Sequence, residues 1–136
     1  MPKIIELARK HLVSADIGAD MKIIAQKMLK HNVGSVVITQ KDEILGFIDD
    51  KAILRLISDE INPLDRDIGE LYSKFPTIKK NMGVLEAWDY VKDRKEERWG
   101  VVNKKNKIKG IVRKRTINDF RVRILKENLH IEDTIK

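Results

Sequence analysis

Short apolar runs broken by polar connectors occur twice along the chain. In the first half, residues 36–38 lead through a four-residue connector, residues 40–43, to a second apolar run at residues 44–48. In the second half, residues 101–102 lead through a five-residue connector to residues 108–112. Two strand-like runs separated by a short polar connection are typical of a β-hairpin. The pattern therefore predicts one hairpin in each half.

The two hairpin blocks align when the chain is shifted by 64 positions. The matching pairs are Glu6-Leu7 with Glu70-Leu71, Val37-Ile38 with Val101-Val102, Ile44 with Ile108, Gly46 with Gly110, Ile48 with Val112 and Ile53 with Ile117. Self-similarity of this kind indicates a duplicated supersecondary unit. We assign residues 1–64 to the first repeat, 65–128 to the second and 129–136 to a C-terminal extension.

Apolar residues spaced three and four apart predict a helix before and after each hairpin. They are Ile24, Ala25, Met28 and Leu29, then Ala52, Ile53, Leu56 and Ile57 in the first repeat, and Val84, Leu85, Ala87, Trp88 and Val91, then Ile117, Phe120, Ile124 and Leu125 in the second. Asp20 and Asn81 are the expected N-caps of the leading helices. Short opening strands are expected at residues 12–14 and 76–78. The predicted fold class is α+β, with two tandem βαββα repeats.

Composition narrows the class of protein. The chain has 136 residues with 42% apolar content, which is enough for one globular unit. No apolar run approaches the roughly 20 residues that span a bilayer, so we expect a cytoplasmic protein with no membrane association. Cysteine is absent, which excludes disulfides, thiolate metal sites and cysteine nucleophiles.

The formal net charge of +7 is unevenly distributed. Residues 79–123 contain 15 Lys or Arg against six Asp or Glu, a net of +9, and the rest of the chain is slightly acidic. Clustered cations attract phosphate groups without regard to sequence. Nucleic-acid binding by the second repeat is therefore one open alternative, although few aromatic residues are interleaved with the charges.

No catalytic or metal-binding arrangement is evident. His11, His31 and His130 lack a second ligand at a metal-binding spacing, and no nucleophile is paired with a base. Acidic doublets such as Asp42-Glu43 and Asp49-Asp50 lie in predicted turns, without a cleft that general acid–base chemistry needs. We predict a protein that is not an enzyme, has no metal site and requires no cofactor.

The order of elements resembles the CBS domain, named for cystathionine β-synthase. The resemblance rests on Asn32-Val33-Gly34-Ser35-Val36-Val37 followed by Ile44-Leu45-Gly46-Phe47-Ile48, and on Trp99-Gly100-Val101-Val102 followed by residues 108–112. It implies a CBS-domain pair, a homodimer, and clefts for an adenosine-containing ligand such as AMP, ADP, ATP or S-adenosylmethionine.

Nucleotide-binding members of that family carry Gly, two apolar residues, Thr or Ser, two variable residues and Asp. The hydroxyl there meets phosphate and the carboxylate meets the ribose. In the first repeat Asp49 replaces the hydroxyl and Ala52 the carboxylate, whereas in the second repeat Arg113 and Thr116 stand at those positions. Because a cation at a helix N-terminus favours an anion and a carboxylate opposes it, we expect the second repeat to hold the ligand.

The resemblance thus implies a set of ligand-binding residues. They are Ser14, Thr77, Ile78, Trp99, Gly100, Val101, Arg113, Lys114, Arg115 and Thr116. Six of them have a simpler alternative: Trp99 as a packing residue, Ser14 and Thr77 as ordinary strand residues, and the three cations as solvated surface charges. The function that we expect is non-catalytic ligand sensing. The alternative is a nucleic-acid-binding or partner-docking protein that uses the basic second repeat and has degenerate clefts.

Overall fold

The computed structural model describes residues 2–129 and contains two similar three-stranded sheets with their helices. The first-repeat elements are β1 (Ser14–Asp16), α1 (Met21–His31), β2 (Ser35–Gln40), β3 (Glu43–Asp49) and α2 (Asp50–Ser58). A short helix, α3 (Ile68–Leu71), follows, and then β4 (Thr77–Lys79), α4 (Val84–Val91), β5 (Arg98–Val102), β6 (Ile108–Arg113) and α5 (Lys114–Asn128). The predicted α+β class with two βαββα repeats is confirmed. Most of the predicted C-terminal extension lies outside the described residues.

Both sheets have the same topology. The first has the strand order β1-β2-β3 and the second β4-β5-β6, with the opening strand parallel to the middle strand and the hairpin antiparallel. A parallel pair needs a crossover connection, which α1 and α4 supply. One face of each sheet packs against helices, and the hydrophobic core of each repeat lies there.

The chain forms two compact units, rather than the single globular unit expected from its composition. One unit is His11–Phe75, and the other combines the N-terminal segment up to Lys10 with the chain from Pro76 onward. Each compact unit therefore combines the sheet and helices of one sequence repeat with the first residues of the other repeat. We call these first residues, the segment up to Lys10 and residues 65–75, the leaders of the first and second repeats. The leader of the first repeat packs with the second-repeat sheet, and the leader of the second repeat packs with the first-repeat sheet.

Equivalent contacts hold the two leaders. Ile4, in a 3-10 turn, is fully buried in the second-repeat core, and its counterpart Ile68 in α3 is 1% exposed in the first-repeat core. Arg9 forms an antiparallel bridge with Ile111, and Ser73 forms the matching bridge with Phe47. Each leader thus extends a sheet by backbone hydrogen bonds and fills the core with an isoleucine.

The glycine shared by the two hairpins permits this pairing. A Cβ on Gly46 would lie 2.0 Å from the carbonyl oxygen of Ser73, and a Cβ on Gly110 would lie 2.8 Å from the Cβ of Ala8. Both distances are shorter than real Cβ contacts allow. Close approach of a neighbouring backbone therefore explains the glycine in both repeats.

Some local predictions need correction. The N-cap of α1 is Asp20 as predicted, but α4 begins after Gly83 instead of after Asn81. The reason is that Lys80 still pairs with β5 through Val102, and a turn from Lys79 to Met82 follows, which delays the helix.

The first hairpin also differs from its prediction. Its connection is the two residues Lys41 and Asp42, both with positive φ, instead of four residues. Two such residues form the tight turn whose twist matches paired strands. The opening strand β1 begins at Ser14, two residues later than expected.

Within residues 2–129, no helix is both long and apolar enough to cross a membrane.

Candidate functional site

The register of the second-repeat sheet decides which predicted ligand residues face away from the helices. Thr77 pairs with Gly100, which pairs with Ile111 on β6. Cross-strand partners share a face, and Arg113 lies two residues beyond Ile111, so Thr77, Gly100 and Arg113 belong to one face. Thr77 and Arg113 are exposed. This face therefore presents a hydroxyl and a guanidinium from the two outer strands.

The neighbouring predicted residues point the other way. Ile78, Trp99 and Val101 are 3%, 1% and 0% exposed and belong to the core shared with α4 and α5. Their side chains contribute packing, so only their backbone groups remain for a ligand. The backbone N–H of Gly100 donates to the carbonyl of Pro76 at 2.8 Å, which fixes the start of the sheet.

Trp99 is held by specific contacts as well as by burial. Its indole N–H donates to the carbonyl of Glu96 at 2.9 Å. Its ring meets Tyr90 edge to face, with centroids 5.8 Å apart. Edge-to-face aromatic pairs are favourable, and a buried indole N–H needs a partner. These contacts match the packing alternative that the sequence left open for this tryptophan.

The junction between β6 and α5 carries the three predicted cations. Arg113 is the N-cap of α5 but makes no side-chain capping bond. The negative charge at the start of α5 comes from the carboxylate of Glu97, which lies in the loop before β5. Its Oε1 lies 3.6 Å from Nε of Arg113 and accepts a hydrogen bond from the backbone N–H of Arg115 at 3.2 Å. The carboxylate of Glu97 thus occupies the helix N-terminus, where the sequence analysis expected a ligand phosphate.

The remaining residues of this junction are differently engaged. The backbone N–H of Lys114 donates to the carbonyl of Glu97 at 2.8 Å, and the Lys114 ammonium donates to the carbonyl of Arg94. Arg115 and Thr116 are exposed in the first turn of α5. Among the predicted residues at the start of α5, Arg115 and Thr116 therefore have accessible side chains. Neither side chain makes a hydrogen bond or ion pair within the described residues. Glu97 was missed by sequence reasoning because 16 residues separate it from Arg113.

The first repeat has a different arrangement at the equivalent positions. The side chain of Asp49 caps α2 by accepting from the backbone N–H of Ala52 at 2.9 Å. Ser14 begins β1, where it pairs with Val37, and its carbonyl accepts from the ammonium of Lys27 at 2.6 Å. The start of α2 therefore carries a carboxylate at the position that Arg113 occupies at the start of α5.

A second cationic feature lies at the turn of the β5–β6 hairpin. A depression of about 380 Å³ is lined by Lys80, Asn103, Lys104, Lys105, Lys107 and Lys109. Sequence reasoning noted the basic second half but did not single out this site, since Lys80 reaches it from the end of another strand. Among the described residues, no group of three His, Asp or Glu side chains is arranged to hold a metal ion.

Comparison with known proteins identifies the class. Residues 4–59 match the family model of the CBS domain. Residues 4–59 therefore form a CBS domain, and the two repeats together share the fold of solved CBS-domain structures. A CBS domain protein from Pyrobaculum aerophilum, complexed with AMP, aligns with a TM-score of 0.74 at 21% identity, over 94% of this chain and 99% of that one.

Two further relatives extend the comparison. The CBS domain of a bacterial CNNM/CorC family Mg²⁺ transporter, in complex with ATP, aligns with a TM-score of 0.74 at 17% identity over 88% of this chain and 87% of that one. An uncharacterised protein of Methanopyrus kandleri is 32% identical over 112 residues, which cover 79% of this chain. The chain spans 56% of the length of that relative.

Proposed function

We propose that this chain is a non-catalytic regulatory module that senses an adenosine nucleotide or a related anionic ligand. The observation that carries the proposal is the exposed guanidinium of Arg113 at the start of α5, on the same sheet face as Thr77. Two CBS-domain structures of the same fold were solved with AMP and with ATP. AMP, ADP, ATP and S-adenosylmethionine are therefore the ligands to test, and a cytoplasmic location remains a prediction.

The second repeat suits a phosphate better than the first. In the first repeat, a phosphate at the start of α2 would face the carboxylate of Asp49, which already caps that helix. In the second repeat, it would meet Arg113 and the free side chain of Arg115, provided that it displaces Glu97. Thr116 replaces the ribose-binding carboxylate of the family pattern, so the affinity should be modest. Ser14 lies on the first-repeat sheet, and its role as a ligand contact stays a prediction.

Replacing Arg113 with alanine should weaken ATP binding by about tenfold, because one charge-assisted contact on a partly exposed side chain is lost. Titration calorimetry of AMP, ADP, ATP and S-adenosylmethionine against the wild type and Arg113→Ala provides the measurement. Asp49→Asn is the matched control, since asparagine still caps α2 and only the charge changes. ATP binding that Asp49→Asn alters and Arg113→Ala leaves unchanged would assign the ligand to the first repeat instead.

We propose further that the module is a homodimer through α2. Leu54 and Ile57 lie three positions apart on this helix and are 62% and 58% exposed. Two large apolar side chains on one exposed helix face are typical of an interface. A two-fold dimer would bury the same patch from each copy.

Sedimentation at micromolar protein should report twice the monomer mass for the wild type. The double variant Leu54→Asp with Ile57→Asp should sediment as a monomer, because two carboxylates would be desolvated in each half of the interface. Leu64→Asp adds a charge at an exposed leucine outside α2 and should leave the dimer intact. A wild-type protein that remains monomeric across this concentration range would contradict the proposed assembly.

A further inference from the structure

The lysine-lined depression at the turn of the β5–β6 hairpin is separate from the Arg113 junction. Its lining consists of five lysines and one asparagine. All five lysines are exposed, and neither an acidic nor an aromatic residue contributes to the lining. The depression therefore concentrates positive charge, and the apolar part of its lining comes from lysine methylene groups and not from aromatic or aliphatic residues.

The backbone of this turn is fixed by Asn103. Its side-chain oxygen accepts from the backbone N–H of Lys105 at 2.9 Å and from that of Lys107 at 3.0 Å. Its own N–H donates to the carbonyl of Lys107 at 3.0 Å, and Asn106 adopts the left-handed conformation that closes the turn. The lysines are thus attached to an ordered loop, which lowers the entropy that a ligand would have to overcome.

Two neighbouring strands add lysines to those of the turn. A bulge in the β5–β6 ladder leaves Lys109 unpaired between Gly110, which pairs with Val101, and Ile108, which pairs with Val102. Bulges re-aim the side chain of the extra residue. Lys80 lies beside the end of β5, where its backbone N–H donates to the carbonyl of Val102 at 2.9 Å. The strand β5 lies between them and neighbouring strands are about 4.8 Å apart, so the backbones of Lys80 and Lys109 are about 10 Å apart.

Three other cations of the second repeat already have a partner within the protein. Arg113 pairs with Glu97, Lys92 with Asp89, and the guanidinium of Arg94 lies 4.5 Å from the ring centroid of Tyr90. Within residues 2–129, by contrast, Lys80, Lys104, Lys105 and Lys109 have no carboxylate within 4.0 Å. Their charge is therefore available to an external anion.

The first repeat provides an internal comparison, because the 64-residue shift maps its hairpin onto this one. The counterpart of Lys80 is Asp16, and that of the bulged Lys109 is Leu45, which is also skipped by its ladder. The turn of the first hairpin carries Asp42 beside Lys41, followed by Glu43. The equivalent positions thus carry mainly acidic and apolar residues in the first repeat and lysines in the second, so the repeat fold itself does not require this charge.

We propose that this depression binds the phosphodiester backbone of a double-stranded nucleic acid, independently of its sequence. Lysine is a compact point charge suited to phosphate oxygens. Single strands and free nucleotides are disfavoured, because no aromatic residue lines the depression to stack on a base. Interfaces between proteins are depleted in lysine at their centre. A concave surface also accommodates the convex ridge of a duplex better than the plane of a membrane. This binding site is additional to the nucleotide site proposed above.

The test is the salt dependence of binding to a short fluorescein-labelled DNA duplex, followed by fluorescence anisotropy. Each phosphate contact contributes about −0.9 to the log–log slope of affinity against salt, so contacts from Lys80, Lys104, Lys105 and Lys109 predict a slope near −3.6. Affinity should then fall roughly 150-fold between about 50 and 200 mM salt. In the triple variant Lys104→Gln, Lys105→Gln, Lys107→Gln, the slope should shrink to about −1.8, with weaker binding throughout.

The matched control replaces three exposed lysines of the first repeat, as Lys22→Gln, Lys30→Gln, Lys51→Gln, and lowers the net charge equally. It should retain the slope of the wild type. Equal losses in both triple variants would reduce the effect to overall charge and overturn the proposal, as would an unchanged slope in the hairpin variant. Stronger binding to phosphatidylserine vesicles than to the duplex would overturn the choice of partner. ATP titration of the hairpin variant separates the two sites, because it should match the wild type.

Discussion

Replacing Trp99 with alanine is expected to lower the free energy of unfolding by about 3–5 kcal/mol, the usual cost of removing a large buried aromatic residue. The side chain is 1% exposed and packs in the second-repeat core with Val84, Val91 and Ile117. Alanine would leave a cavity and would also remove the hydrogen bond to Glu96 and the aromatic contact with Tyr90. Urea denaturation followed by circular dichroism measures the change.

The variant Trp99→Phe serves as the control for this prediction. Phenylalanine keeps most of the apolar volume and the aromatic contact but has no N–H, so it should cost less than half as much as alanine. If Trp99→Ala instead left stability within about 1 kcal/mol of the wild type while it abolished ATP binding, the tryptophan would act on the ligand and not in the core.

Replacing Glu97 with glutamine is expected to strengthen ATP binding by roughly 5- to 10-fold, because a partly exposed ion pair is worth up to about 1 kcal/mol and a like charge that would face the phosphate is also removed. The carboxylate now holds Arg113 at 3.6 Å and accepts from the N–H of Arg115. A phosphate that takes this place must break both interactions and face a like charge. Glutamine keeps an acceptor for the N–H but removes the charge, so Arg113 becomes available.

Glu96→Gln is the matched control, because the neighbouring residue contributes its backbone carbonyl to Trp99 and the substitution leaves that group in place. It should leave ATP affinity within about twofold of the wild type. Weaker ATP binding by Glu97→Gln, measured by titration calorimetry, would mean that Glu97 supports the ligand instead of competing with it.

The sequence predicted the repeat architecture well because the evidence for it is local. The period of the apolar residues and the glycine in each hairpin lie within short windows, and the strand and helix order follows from them. The position of α4 was wrong by two residues, since a long-range bond from Lys80 to Val102 delays the helix after Asn81. Local capping rules do not include such a bond.

The candidate site was predicted less completely, because its electrostatics depend on pairs that are distant in sequence. Arg113 was recognised from its place after the glycine motif, whereas its partner Glu97 precedes another strand. Trp99 was assigned to the ligand set from its position before the apolar run, and strand parity could have indicated that it shares the core face with Val101. The lysine depression combines Lys80 with a hairpin more than 20 residues away, which only the strand register reveals.

The exchanged leaders impose an order on folding during synthesis. The unit His11–Phe75 is continuous, so all of its residues are present once Phe75 has left the ribosome. The leader that carries Ile4 and Arg9 emerges before this unit, but Ile111, with which Arg9 forms a bridge, follows about 100 residues later. At the usual rate of about 5–20 residues per second, this delay is roughly 5–20 s. For that interval the core that receives Ile4 is incomplete and Arg9 has no Ile111 backbone to pair with, so the leader stays unpaired while the continuous unit can already fold.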